Sequence, residues 1–471
     1  MVGLGRRHKT SEQEGDRHEK ELQTSTHRAR YAGRVTPKKA KLDHDQATHE
    51  AALALPDTVT VAIADLAGEL EEGLLAFAVG TGLKVLDVVM DNEARLLAGE
   101  RGKHDPDRTA VRHGTDSGLV TLGGRQVPIR RQRLRNADKT AEVQLPTYVA
   151  ASSTDLLGRQ VMSRMLAKLS TRRYRAGLEP VGKAVEQRSR GTTKSSVSRR
   201  FVEATETALA ELMSADLSGL DLVALMVDGV VFAGHMAVVA LGIDIDGHKH
   251  PLALVEGDTE NATLVKDLLV DLRDRGLDVT KPILAVLDGS KALANAIKAV
   301  FDHPVIARCQ LHKIRNLKRY LPDKVFRVVE RRMRDAYKNP DPLAGQGDLE
   351  ALARELQRQH PGAAGSLREG LAETFTVARL AVPPTLARTL RSTNAIESMI
   401  EICRDHSSNV KRWQDGTMVL RWCGAGMAEA KKQFRRVNGY MHLRKLREEL
   451  DKHIAKSITA SRYPAQKEVA A

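Results

Sequence analysis

The stretch DLVALMVDGVVFAGHMAVVALGIDIDGHKHPLALVEGD, residues 221–258, decides the fold. It holds three apolar, β-branched runs separated by short turns that contain Gly or Asp, which is the pattern of three consecutive antiparallel strands. Four further segments follow in order: NATLVKDLLVDLRDRGL, ILAVLDGS, KALANAIKAVF and PVIARCQLH. Their periodicities alternate between helix and buried strand. We therefore predict the element order β-β-β-α-β-α-β-α.

This element order is that of the α/β ribonuclease H fold. Two aspartates lie on or directly after strands that can be neighbours in its sheet. Asp228 falls at the centre of the first predicted strand and Asp288 at the end of the fourth, where adjacent strands bring two carboxylates together. Two magnesium ions ~3.5 to 4 Å apart use such hard oxygen ligands to activate an attacking oxygen and to neutralise the leaving oxygen of a phosphodiester. The alternative is that each Asp-Gly pair only starts a β-turn. Their association with buried strands in the right order favours the metal site.

The overall charge favours a polyanionic partner. Lysine and arginine total 74 of the 471 residues against 60 acidic residues, a formal charge of +14, and they recur along the whole chain. Net charge that only prevents aggregation is the alternative. The sequence has no signal-peptide pattern and no apolar run of membrane-spanning length, and its three cysteines lack C-x-x-C spacing. We expect a cytoplasmic protein of two to four structural units with no membrane partner.

The amino-terminal third divides into three predicted parts. Residues 1–50 are charged and poor in large apolar side chains, which predicts a disordered basic arm. Residues 51–118 have apolar clusters that suit a helical module, and residues 119–150 alternate as a basic β-hairpin around a turn at 136–138. Its arginines either contact phosphates or form a solvated strand face; they are Arg125, Arg130, Arg131, Arg133 and Arg135.

Residues 151–215 have the order helix, turn, helix. Ser153 or Thr154 caps the first helix, and the second begins near Lys194. In a helix-turn-helix module the second helix presents its first residues to base edges in the major groove. The candidates for DNA contact are Lys194, Ser195, Ser196, Ser198, Arg199 and Arg200. Ordinary packing of two helices is the alternative.

Four segments resemble those of Mutator-type bacterial insertion-sequence transposases, which are DDE transposases. They are MVDGV, VLDGSKAL, RCQLHKIRNL and RSTNAIESMIEICRDHSSNVKRW. Asp288 follows Asp228 by 60 residues and Glu397 follows Asp288 by 109, similar to the spacing in that family. The resemblance, over about residues 150–445, implies that these three carboxylates are catalytic and hold two Mg²⁺ or Mn²⁺ ions.

The same resemblance implies a divided catalytic core. A mixed five-stranded sheet in residues 220–312 is interrupted by an all-α insertion at 313–390 and completed by residues 391–450, after which 451–471 form a flexible tail. From the residues alone the third carboxylate stays open: Ser392 or Thr393 caps a helix on which Glu397 and Glu401 share one face.

Further residues near the predicted site carry interpretations of their own. Cys309 and His312 match the family's Cys-x-x-His motif, for which we expect DNA positioning and not zinc, since no second pair has ligand spacing. Trp413 and the adjacent Arg412 are candidates for DNA contact, whereas Trp422 suits the core. Four basic residues follow His312 at helical spacing and either hold the DNA backbone or form a solvated helix face. They are Lys313, Arg315, Lys318 and Arg319.

The implied function is a DDE transposase that cleaves at the terminal inverted repeats of an insertion sequence and joins the freed 3′-hydroxyl to target DNA. Pairing of two ends implies at least a homodimer, acting on double-stranded DNA of the bacterial nucleoid. Two alternatives remain open from the residues: a nuclease or resolvase without strand transfer, and a DNA-binding regulator whose acidic positions are structural.

Overall fold

The computed structural model describes residues 73–103, 105–259 and 261–462, with side chains to residue 456. The chain divides into two compact units, Met1–Gly68 and Glu69–Ala471, and all described residues belong to the second. The predicted arm at 1–50 and the first part of the predicted helical module lie outside the described residues. In the part that is described, no helix combines the length and apolar character needed to span a bilayer.

The second unit begins with one long helix and a three-stranded antiparallel sheet of order β1-β2-β3. These elements are α1 (Leu74–Ala98), β1 (Ala110–Leu122), β2 (Arg125–Asn136), β3 (Glu142–Val143) and the short α2 (Pro146–Ala151). The boundary predicted at residue 118 was wrong, because β1 already begins at Ala110. Its Gly, Asp and Ser residues broke the alternation that identifies a strand in sequence.

The main hairpin turn is Gly123–Gly124, between β1 and β2, and not only the predicted turn at 136–138, which connects β2 to the two-residue β3. Both glycines have positive φ, 52° and 86°. A two-residue hairpin loop needs that conformation at both positions, and glycine adopts it without steric cost.

The helical segment that follows packs on the central part of the molecule. Its helices are α3 (Thr154–Leu166), α4 (Lys183–Arg188) and α5 (Lys194–Ser214). Ser153 caps α3 by accepting from the Leu156 amide at 3.3 Å, and Thr193 caps α5 through the Ser196 amide at 3.3 Å. Phe201 of α5 and Leu157 of α3 are buried in one apolar cluster with Trp422.

A five-stranded mixed sheet forms the centre, as the sequence predicts. Its strands are β4 (Leu222–Phe232), β5 (His235–Asp244), β6 (Lys249–Glu256), β7 (Ile283–Leu287) and β8 (Pro304–Arg308), in the order β6-β5-β4-β7-β8. β4, β5 and β6 are antiparallel, whereas β7 pairs parallel with β4 and with β8. With the helices α6 (Ala262–Asp274), α7 (Lys291–Val300) and α8 (Gln310–Leu317), the predicted order β-β-β-α-β-α-β-α is confirmed.

Both faces of this sheet are covered, which explains why its strands are apolar almost throughout. One face packs under α6 and α7 through residues such as Leu225, Leu269 and Ile297. The other packs under helices from the end of the chain through Met226, Ile400 and Trp422.

Residues 318–390 are a set of helices with their own apolar cluster, built around Leu317, Met333, Leu352 and Phe375. They are α9 (Asp323–Ala336), α10 (Pro342–Leu356), α11 (Pro361–Arg368), α12 (Leu371–Thr374), α13 (Thr376–Arg379) and α14 (Pro384–Leu390).

Three helices complete the described chain: α15 (Asn394–His406), α16 (Gly416–Gln433) and α17 (Leu443–Arg462). The predicted flexible tail from residue 451 was wrong for its first part, because α17 continues to Arg462. Leu443, Leu446 and Leu450 are buried along one side of it, and this spacing anchors the helix on the core. Residues 463–471 lie outside the described residues.

Candidate active site

Asp228 lies within β4, and Asp288 directly follows β7, the parallel neighbour of β4 in the sheet. β4 and β7 run parallel with Val227 beside Leu287, and each aspartate is the next residue of its segment. The Asp228 side chain is 2% exposed. The parallel register therefore brings two carboxylates together that are far apart in sequence.

Asp228 is an incompletely partnered buried carboxylate. Its Oδ1 has no hydrogen-bond partner among the described residues, and its Oδ2 lies 3.8 Å from His312 Nδ1. Burial raises the pKa of Asp228 to about 6, against the lowering effects of the His312 charge and a hydrogen bond with Thr393, and the charges of Asp288 and Glu397 raise it further. The site therefore carries more negative charge than its protein neighbours compensate.

Asp288 is fixed by the start of the next helix. Its Oδ1 accepts from the Ser290 amide at 2.8 Å, and its Oδ2 accepts from Thr259 Oγ1 at 3.1 Å. Ser290 caps α7 by accepting from the Leu293 amide at 3.3 Å and donates its hydroxyl to the Thr259 carbonyl at 2.9 Å. Thr259 was missed in the sequence because it lies in a loop with no recognisable pattern.

Glu397 and Glu401, which the sequence left open as alternatives, have different surroundings. Glu397 is 30% exposed and pairs with Arg315, whose Nη2 donates to Oε2 at 3.3 Å and whose Nη1 donates to Oε1. Its Oε1 lies 4.0 Å from His312 Nε2. Glu401 is 75% exposed and pairs with Arg404 at 3.1 Å. Glu397 is thus the glutamate that lies close to His312, which in turn lies close to Asp228.

Cys309, His312 and Thr393 connect the start of α8 to the start of α15. The Cys309 sulfur accepts from the amides of His312 and Thr393, both at 3.5 Å, and from the Thr393 hydroxyl at 3.6 Å. That hydroxyl lies 3.4 Å from His312 Nδ1. The predicted side-chain cap of α15 was wrong: Thr393 is the N-cap residue, but its side chain makes no cap hydrogen bond. Its hydroxyl faces Cys309 and His312 instead.

The cysteine and histidine stabilise each other's charged forms. Burial raises the pKa of the Cys309 thiol, but the hydrogen bond and charge of His312 outweigh this effect, so the pKa is lowered from its ordinary value. The hydrogen bond with Cys309 raises the pKa of His312 to about 9 although burial lowers it, and the charge of Asp228 raises it further. A cationic imidazole therefore lies between Asp228 and Glu397.

The donor chemistry of this edge suits a hard divalent cation. An unpartnered buried carboxylate oxygen on Asp228 lies beside further carboxylates, and carboxylate oxygens are the ligands that Mg²⁺ and Mn²⁺ prefer. Glu397 is held by Arg315. Within residues 73–103, 105–259 and 261–462, no three His, Cys, Asp or Glu side chains are arranged around a common ion position.

The arginines predicted on the hairpin differ in availability. Arg125 is buried and donates to the Glu179 carbonyl at 2.6 Å, so neither of the two alternatives, phosphate contact or a solvated strand face, describes it. Arg131 stacks on the Tyr148 ring at 4.6 Å and is 15% exposed. Arg130 is exposed and donates to Thr115 Oγ1 at 3.1 Å. Arg133 pairs with Glu142, and Arg135 donates to the Lys139 carbonyl.

The predicted DNA-contacting residues of α5 occupy its first two turns. Lys194, Ser195, Ser198 and Arg199 are exposed, and Ser196 is half-buried. Arg200 instead donates to Gln126 Oε1 at 3.0 Å, which ties α5 to the hairpin.

The remaining residues considered for DNA contact near the site also differ in exposure. Trp422 is buried against Phe201, with ring centroids 4.6 Å apart. Trp413 is half-buried and packs edge-on against Phe232 at 5.6 Å, while Arg412 is exposed. Lys313 is buried and donates to the carbonyls of Ser366 and Glu369, so neither a DNA contact nor a solvated face describes it.

Comparison with known proteins assigns the chain to a family. The family model "Transposase, Mutator family" matches residues 71–437. A probable insertion-sequence transposase of Corynebacterium diphtheriae is 30% identical over 195 residues, which are 41% of this chain and 56% of that protein. The transposase for insertion sequence element ISRM5 of Rhizobium meliloti (strain 1021) is 29% identical over 220 residues, 47% of this chain and 54% of the relative. The chain thus spans little more than half the length of these two relatives, but because the family model covers most of it, the chain belongs to the Mutator family of transposases.

Proposed function

We propose that this chain is a DDE transposase that binds the terminal inverted repeats of an insertion sequence and catalyses metal-dependent DNA cleavage and strand transfer. The observation that carries the proposal is the buried Asp228, which has one unpartnered oxygen and lies beside Asp288. His312 lies between Asp228 and Glu397. Membership in the Mutator family supports it. Relatives named as insertion-sequence transposases support the same reaction class.

Asp228, Asp288 and Glu397 would hold two divalent ions, Mg²⁺ or Mn²⁺. Bound at a phosphodiester, such ions activate the attacking oxygen and stabilise charge on the leaving oxygen. Ion binding requires Asp228 as the carboxylate, and the charge of His312 and the hydrogen bond from Thr393 favour that form.

Arg315 has two successive partners in this scheme. In the structure it forms a bidentate pair with Glu397, and 56% of its side chain is exposed. With Glu397 as an ion ligand, the Arg315 guanidinium would be free to bind another group. Arginine binds phosphate in the same bidentate geometry as carboxylate, so Arg315 would then orient the scissile phosphate.

The other parts of the chain would position DNA. Residues 220–312 and 391–450 form the ribonuclease H-like core around the insertion at 313–390, the segment 151–215 is the helix-turn-helix module, and the hairpin contributes phosphate contacts through Arg130. Cys309 and His312, together with Arg412 and Trp413, would position the strand at the carboxylates. A homodimer or larger homo-oligomer would pair two transposon ends on nucleoid DNA in the bacterial cytoplasm.

The test is a cleavage and strand-transfer assay in Mg²⁺ with DNA that carries the sequences flanking this gene. The wild type is compared with Asp228→Asn, Asp288→Asn and Glu397→Gln, and Glu401→Gln is the matched control on the same helix. We expect the three variants to bind DNA but neither cut nor join it, whereas the control does both. Cut but unjoined products would support a nuclease, and binding without cutting in either Mg²⁺ or Mn²⁺ would support a regulator.

A further inference from the structure

A second charged site lies behind the helices that carry the candidate active site. It is a cavity of about 680 Å³ between α8, α9, the start of α15 and residues 435–438. Seven of its lining side chains are lysine or arginine, and none is aspartate or glutamate. We call it the basic cleft, defined by Lys249, Arg388, Arg391, Arg435 and Arg436.

These five cations lack carboxylate partners among the described residues. Lys249 lies over the Phe434 ring at 4.6 Å. Arg436 lies over the Tyr440 ring at 5.0 Å and donates to His248 Nε2 at 3.3 Å. In the described part of the chain, the side chains of Arg388, Arg391 and Arg435 make neither a hydrogen bond nor an ion pair. The two other lining cations, Arg334 and Lys338, already pair with Glu330 and Asp335.

Unbalanced positive charge inside a concave surface attracts an anion. Walls of low dielectric focus the field of the lining charges into the cleft. Burial lowers the pKa of Arg391, and the charge of nearby Arg388 lowers it further, so the charged form of this side chain is disfavoured by the loss of solvent and by one like charge. An anion with several charges, such as a chain of phosphates, would offset that cost at more than one arginine.

The cleft and the candidate active site lie on opposite sides of the same two helices. On α15, Asn394, Ala395 and Ser398 line the cleft, whereas Glu397 pairs with Arg315. On α8, Gln310, Leu311 and Ile314 line the cleft, and His312 faces the carboxylates. A helix with its side chains is ~10 Å across, so the two sites are separated by about the thickness of one helix.

We propose that the basic cleft is a second DNA-binding site, which holds the phosphodiester backbone of DNA that flanks the strand at the carboxylates. Its occupant is a backbone because every charged lining side chain is a cation. The apolar lining residues are buried or half-buried, and the Tyr337 ring is buried, so the cleft has no exposed aromatic platform on which a base would stack. The proposal rests on the proposed function in one respect, the identity of the DNA that the cleft holds. Its test measures binding alone and needs no DNA cleavage.

The test compares two double variants of the full chain that lose the same charge. Arg388→Gln/Arg435→Gln removes two exposed, unpartnered cations from the cleft. Arg327→Gln/Arg358→Gln removes two exposed cations of the helical segment outside the cleft, for which no side-chain partner exists in the described residues. Circular dichroism and thermal unfolding verify that both variants fold. Binding is measured in EDTA by fluorescence anisotropy, with a labelled 20-nucleotide oligothymidylate and a mixed-sequence 20-bp duplex as probes, between 50 and 200 mM salt.

Each phosphate contact contributes ~0.7 to the slope of log K against log salt for single strands and ~0.9 for duplex DNA. We expect the cleft variant to lose about 1.4 from the slope on the single strand, or about 1.8 on the duplex, and the control variant to keep the wild-type slope. The probe that responds identifies the form of DNA bound. A wild-type slope in the cleft variant, or an equal loss in the control, would overturn the proposal.

Failure of this proposal is separable from failure of the proposed function. If Asp228→Asn still cuts DNA, the carboxylate assignment fails while the salt slopes remain interpretable. If the cleft variant binds like the wild type while Asp228→Asn has lost cutting, only the second DNA site is lost.

Discussion

Replacing Asp228 by asparagine should stabilise the metal-free protein while it removes activity. The pKa of Asp228 is raised from 3.8 to about 6, and one pKa unit corresponds to ~1.4 kcal/mol. Holding the ionised carboxylate therefore costs the folded state about 3 kcal/mol at neutral pH. The side chain is 2% exposed, so solvent does not screen this cost. Asparagine keeps the size of the side chain and removes the charge.

The pH dependence follows from the sign of the shift. A carboxyl group with a raised folded pKa binds more protons in the folded than in the unfolded state between pH 3.8 and about 6, so wild-type stability falls as pH rises through that window. The amide that replaces the carboxyl group does not titrate. The advantage of Asp228→Asn should be complete above pH 6, about half as large at pH 5 and absent below pH 4.

Urea unfolding in EDTA at pH 7.5 and pH 5.0 measures this difference, and Glu401→Gln is the control because its carboxylate is 75% exposed. We expect the control to stay within ~0.5 kcal/mol of the wild type at both pH values. Adding Mg²⁺ should stabilise the wild type more than Asp228→Asn, because a ligand that binds only the folded state stabilises it by mass action. A variant no more stable than the wild type at pH 7.5, or a gain undiminished at pH 5.0, would refute the reasoning from buried charge.

Three further substitutions test how the helices around the site are held. Thr393→Val should lower cleavage by ~5- to ~150-fold without unfolding the protein, because a missing partner at a buried polar group costs ~1 to 3 kcal/mol. Thr393→Ser should restore most of the rate; equal rates for valine and serine would exclude a role for the hydroxyl at His312. Trp422→Ala should cost ~3 to 5 kcal/mol in urea unfolding, as expected for a large buried aromatic; a loss under ~1 kcal/mol would contradict its place in the core. Gly426→Ala should cost ~1 to 3 kcal/mol, because an added Cβ lies 2.9 Å from the Cys403 backbone; unchanged stability would show that α15 and α16 can separate freely.

The central sheet could be predicted from sequence because its strands are buried on both faces. Runs such as LVALMVDGVVF have no polar side to confuse with a helix, and the turns between them contain glycine and aspartate. The parallel pairing of β4 with β7 then brings Asp228 beside Asp288. The element order was therefore enough to expect the two aspartates near each other, whereas the strand register was not predicted.

The surroundings of those carboxylates could not be predicted, because they depend on side-chain directions between distant segments. Thr259 reaches Asp288 from a loop, and the Thr393 hydroxyl turns to Cys309 instead of capping its own helix. Local sequence predicts neither contact, because a threonine before a helix predicts a helix cap. The buried Lys313 is a similar case, since its partners are the carbonyls of Ser366 and Glu369 more than 50 residues away.

These long-range contacts connect the helical segment to the candidate active site. Lys313 and Gln310 of α8 bond to carbonyls of that segment, the latter to Thr374 at 2.9 Å, while His312 of the same helix lies between Asp228 and Glu397. Because α8 has only eight residues and contacts both the helical segment and the candidate active site, a shift of α8 toward either of them would strain its contacts with the other. The basic cleft is lined by the same helix, so α8 contacts the helical segment, the cleft and the candidate active site.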